Sequence, residues 1–61
     1  MRPEGLRRGD RVVWNGHPAT VHDTRGTAGQ RHQWLVELVF DDPRAAPVRV
    51  YVDPDQEMEA L

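Results

Sequence analysis

The sequence predicts an all-β domain of four or five short antiparallel strands closing into a small barrel, with space for one short helical turn near residues 53–57. Three observations lead there. Arg11-Val12-Val13-Trp14 runs directly into Asn15-Gly16 and a second extended run, which is how a tight hairpin is written. Trp34 to Phe40 and Val48 to Val52 alternate two sets of side chains with the period of a pleated strand. Turn chemistry at Asp41-Asp42-Pro43-Arg44 and at Asp53-Pro54-Asp55-Gln56 bounds those runs.

Residues 1–8 read as an irregular leader, because Pro3 and Gly5 discourage a regular element, with Leu6 as the anchor. Residues 9–61 then form a single domain. Asn15 and Gly16 both accept positive φ, as a two-residue hairpin turn requires. Pro18 opens the return strand, where its missing N–H does least harm. Ala19 and Val21 share one face of that strand, and His22 ends it. From Asp23 to Gln33 the chain is polar, contains Gly26 and Gly29, and has no large apolar side chain. It reads as a mobile surface loop joining two strands.

Trp34, Val36, Leu38 and Phe40 form the inward set of the next strand, and Leu35, Glu37 and Val39 the other. Pro47 delays the following strand, in which Val48, Val50 and Val52 point inward while Arg49 and Tyr51 point out. Glu57 to Leu61 is too short to hold a helix alone. It reads as a brief final strand with Met58 plugging the barrel, a helical turn being the alternative.

A chain of 61 residues buries about 60% of the surface its unfolded form exposes, so its core is small. There is no cysteine to supply a disulfide, a thiolate ligand or a thiol nucleophile. No basic-then-apolar start and no long apolar run appear, so the expectation is a soluble, cytoplasmic protein with no membrane partner. Residues 1–32 carry six arginines against three acids, and residues 33–61 carry two against seven, giving the net charge of −2. That acidic balance argues against tight, non-specific nucleic-acid binding.

Gly9-Asp10 before the first strand, Val12 and Trp14 within it, Gly16 in the turn and Val21 in the return strand resemble the opening of KOW and Tudor-type modules. The Val52-Asp53-Pro54-Asp55-Gln56 segment is similar to the short turn that SH3-like barrels place before their last strand. KOW segments carry a further glycine before the valine matched by Val21, where this chain has Ala19 and Thr20. The resemblance covers most of residues 9–58 and implies an SH3-like barrel that binds rather than transforms its ligand.

Site residues follow from these placements. Leu35, Val39, Arg49 and Tyr51 form a candidate protein-binding face, an exposed apolar patch on the outside of the sheet. The Tudor resemblance implies an aromatic cage for a methylated cation, for which Trp14, Trp34 and Tyr51 are candidates. Trp14 and Trp34, with Phe40, read first as the core of so small a chain. Arg7, Arg8, Arg11, Arg25 and Arg31 are the candidate nucleic-acid contacts, an arginine edge beside a stacking aromatic. His17, His22 and His32 lack zinc-ligand spacing, so no metal or other cofactor is expected. Asp41-Asp42 and the Asp53-Asp55-Glu57-Glu59 series fall in turns and near the end of the chain, there is no serine, and no glycine-rich phosphate loop occurs. The expectation is therefore a non-catalytic module with no small-molecule substrate. Its favoured partner is a protein or a second copy of itself, met through a sheet face or edge. The alternative is weak, salt-sensitive nucleic-acid binding.

Overall fold

Asn15 (φ 50°) and Gly16 (φ 80°) reverse the chain between β1 (Arg11–Trp14) and β2 (His17–Gly26). Trp14 lies opposite His17 and Val12 opposite Ala19, so the hairpin forms in the expected register. The structure is a computed structural model and describes residues 2–26 and 33–61. β3 (Trp34–Phe40), β4 (Val48–Val52) and β5 (Glu59–Ala60) complete one antiparallel sheet in the order β4-β3-β2-β1-β5. The all-β expectation holds, with five strands. The sheet is unclosed, with β4 and β5 as its edges, so the closure of a barrel is not among the strand pairings.

One element differs in length from the sequence reading. Asp23 to Gly26, expected as loop, continue β2 and pair with Glu37, Val36, Leu35 and Trp34. β3 offers seven residues of backbone donors and acceptors, and unpaired groups along it would be costly. A β-bulge between Val21 and Asp23 spends one residue, so that Thr24 and Gly26 face the core side after Ala19 and Val21 have done so. The rest of the expected loop, residues 27–32, lies outside the described residues.

The core comprises Leu6, Val12, Ala19, Val21, Val36, Leu38, Val52 and Met58, all nearly or fully buried. Trp14, Trp34, Phe40, Val48 and Val50 pack around it half-buried. Leu6 does anchor the first residues, but not alone. A 3-10 turn at Pro3–Gly5 buries Pro3 as well, with the Leu6 N–H donating to the Pro3 carbonyl at 3.1 Å.

Residues 53–57 make a turn rather than a helix, closed by the Gln56 N–H donating to the Asp53 carbonyl at 3.0 Å. The chain then inserts Met58 into the core before β5 pairs with Val12 and Val13 of β1. The Leu61 N–H extends that ladder to the Arg11 carbonyl at 3.1 Å. Among the described residues no helix is long and apolar enough to cross a membrane.

Candidate functional site

The outer face of β2, β3 and β4 is built from three cross-strand rows. Residues directly opposite in an antiparallel ladder put their side chains on the same face, about 4.5–5.5 Å apart at Cβ. Tyr51, Leu35 and Arg25 form the first row, and Arg49, Glu37 and Asp23 the second. Val39, Thr20 and Arg11 form the third. Tyr51 is 64% exposed and Val39 39%, while Leu35 is half-buried beneath its neighbours. Leu35, Val39, Arg49 and Tyr51 thus share one surface.

The middle row sets two carboxylates opposite each other, an arrangement that destabilises a sheet unless cations stand near. Arg49 supplies one, its Nε donating to Glu37 Oε1 at 3.4 Å. Arg25 stands on the same face, and Asp23, Arg25, Leu35, Glu37 and Arg49 together line a hollow of about 130 Å³. Sequence reasoning placed Glu37 on this face with Leu35 and Val39 but missed Asp23 as a member of the surface. The bulge brings Asp23 to it, and nothing in the alternation of residues marks a bulge.

Val39 floors a second outer hollow of about 300 Å³, shared with Arg8, Gly9, Thr20, Val21 and His22. Gly9 and Asp10 bind this rim to β2, the Gly9 N–H donating to the Val21 carbonyl and the Val21 N–H to the Asp10 carbonyl, both at 2.8 Å. At the same end of β3, where Phe40 follows Val39, His17, Pro18, Phe40, Asp42 and Ala45 line an apolar hollow of about 220 Å³. His17 and Phe40 meet edge to face there, with ring centroids 6.2 Å apart.

The other candidate sets are dispersed. Trp14 pairs with His17 at the turn end of β2 and Trp34 with Gly26 at its far end. Both indoles pack on the core, whereas Tyr51 stands on the outer face. Trp14, Trp34 and Tyr51 therefore do not line one cage. Among the arginines, Arg11 is held by the Asp41 carboxylate, and Arg7 directs its backbone N–H to Asp10 Oδ2 at 2.9 Å. Arg8 and Arg25 sit by different outer hollows, and Arg31 lies outside the described residues. His32, the third histidine considered, lies there too. Among the described residues no group of three His, Cys, Asp or Glu is placed to hold a metal ion.

The environment of Asp42 favours its ionised form. Its Oδ1 accepts the Arg44 backbone N–H at 2.9 Å and the Arg44 Nε–H at 3.2 Å. The Arg44 backbone bond first, then its guanidinium, hold this carboxyl below its ordinary 3.8, with His17 adding a smaller pull in the same direction. These contacts pin the turn between β3 and β4. Comparison of the chain with protein families, with curated proteins and with solved structures finds no match.

Proposed function

We propose that this chain is a non-catalytic interaction module of SH3-like type, binding a protein partner through the outer face of β3 and β4 and the free edge of β4. The observation that carries the reading is the Tyr51–Leu35 pair. It sets a tyrosine that is 64% exposed on the last strand of an open sheet, beside a strand edge with no neighbour in the sheet. An edge strand offers main-chain hydrogen bonds, and alternate side-chain sites offer selectivity. Tyrosine adds a large contact area at low entropic cost, with a hydroxyl for a polar partner.

Arg25 and Arg49 rim this apolar surface and are balanced by Asp23 and Glu37. Such a surface discriminates by position of charge more than by net charge, so binding depends only modestly on salt.

The test is a displayed library of random peptides, selected on the wild-type chain and counter-selected on a Tyr51→Ala, Val39→Ser double variant. The expected winners shift the amide resonances of Leu35, Val39 and Val48 to Val52. Failure to recover any peptide that distinguishes the two chains overturns the reading. It passes to nucleic acid if a short mixed-sequence oligonucleotide instead shifts Arg7, Arg8, Arg11 and Arg25, in a manner abolished by salt.

A further inference from the structure

We propose that the free edge of β4 pairs antiparallel with β4 of a second copy of this chain, about a two-fold axis through Val50. This rests on the reading of β4 as the binding edge and names its occupant.

β4 is the open edge of the sheet. Among the described residues, Val48 to Val52 ladder with β3 alone, and no other backbone hydrogen bond reaches them. The strand contains no proline, no lysine and no bulge, and its one charged side chain, Arg49, is tied to Glu37. The opposite edge, β5, is only two residues long and blunt by comparison.

The side chains of β4 are complementary to themselves in this one arrangement. With the axis at Val50, Val48 lies opposite the second copy's Val52, and Val50 opposite its counterpart. On the core side Val52 is buried but Val48 and Val50 remain half-buried. Pairing continues their apolar row from one sheet into the next. On the outer face Arg49 lies opposite the second copy's Tyr51, and symmetry repeats the contact. The Arg49 side chain is 72% exposed, so its guanidinium can lie over the facing ring while Nε stays with Glu37.

Other registers lose this match. An axis at Arg49 sets the two guanidinium groups opposite each other, which is repulsive. An axis at Tyr51 pairs only Val50 to Val52 and leaves Val48 and Arg49 beyond the other strand. The axis at Val50 alone uses all five residues of β4.

The experiment is sedimentation of the full chain up to millimolar concentration, with isotope-filtered NOEs on a mixture of labelled and unlabelled protein. The expected result is a dimer with interchain contacts between Arg49 and Tyr51 and concentration-dependent shifts confined to residues 48–52. Two variants at one position sharpen it. Tyr51→Glu sets a carboxylate against Arg49 and keeps dimerisation within about threefold, whereas Tyr51→Arg opposes like charges twice and weakens it about tenfold or more. The NOEs decide on wild-type protein, even if a variant fails to fold. A chain that stays monomeric, a dimer without the Arg49–Tyr51 contacts, or equal losses in both variants overturns the proposal. A monomer that still selects peptides through β4 means that the edge takes a foreign strand, and the interaction-module reading stands without this one.

Discussion

Gly26 lies directly across the β2–β3 ladder from Trp34, and a Cβ built on it would meet the indole ring at 3.9 Å. That is ordinary van der Waals contact, and the backbone of Gly26 is not left-handed. Replacing it with alanine reduces the freedom of the unfolded chain and adds a contact to a half-buried aromatic. Gly26→Ala is expected to stabilise the domain by about 0.4–1 kcal/mol, seen as a raised midpoint in urea unfolding with an unchanged slope. A lowered midpoint would show that the ring needs the space.

Leu38 is the largest of the fully buried side chains and sits at the centre of β3. Its truncation removes apolar contacts and leaves a void among Val21, Val36 and their neighbours. Leu38→Ala is expected to cost about 2–5 kcal/mol, enough to depopulate the folded state of so small a domain. Thermal unfolding followed by tryptophan fluorescence measures it, and an unchanged midpoint would contradict the buried placement.

The β1–β2 turn tests backbone strain apart from packing. A Cβ at Gly16 would meet nothing within 4 Å, so any penalty there comes from its φ of 80°. Gly16→Val is expected to destabilise by about 1–3 kcal/mol. Gly16→Asn should cost clearly less, because asparagine tolerates the left-handed region. Equal losses in the two variants would point to a cause other than the torsion angle.

Asp42 gives the fold an acid-sensitive turn. Its carboxyl is held below 3.8 in the folded protein, so the ionised form is favoured by folding. The contribution is present in full above the unfolded value and is lost as pH falls through the lower folded value. The Arg44 amide resonance should therefore titrate with a midpoint below 3.8 and become pH-independent in Asp42→Asn. A midpoint at or above 3.8 would mean that the Arg44 contacts do not persist in solution.

Much of this architecture is legible in the residues themselves. β1, its Asn15-Gly16 turn, and the full extents of β3 and β4 follow from alternation and turn chemistry, which are local signals. The outward placement of Tyr51 and Val39 and the burial of Met58 come from the same source. The extension of β2 through Asp23 to Gly26 is not legible, since its pairing depends on a partner strand and its side chains carry no apolar pattern. For the same reason the outer row of Asp23, Glu37 and Arg49 escapes sequence reasoning, although Glu37 and Arg49 are each on the correct face. Pro3 reads as a breaker and becomes a buried packing residue, because the 3-10 turn uses its fixed φ. Trp14 and Trp34 stand at opposite ends of β2, a separation fixed by register and not by residue type, while Tyr51 lies on the other face of the sheet.

The bulge at His22 changes the phase of β2 midway along its length. Upstream of it the odd-numbered residues Ala19 and Val21 are buried in the core, and downstream the even-numbered Thr24 and Gly26 lie on the core side, opposite Val36 and Trp34. The strand is thus two half-strands of opposite parity spliced by one residue. Any gain or loss of a single residue at the splice acts on every side chain from Asp23 to Gly26 at once, exchanging the solvated carboxylate and guanidinium for the threonine and glycine beneath them. The charged pattern of the outer face is kept in place by chain count at a position that contributes no side chain to the core.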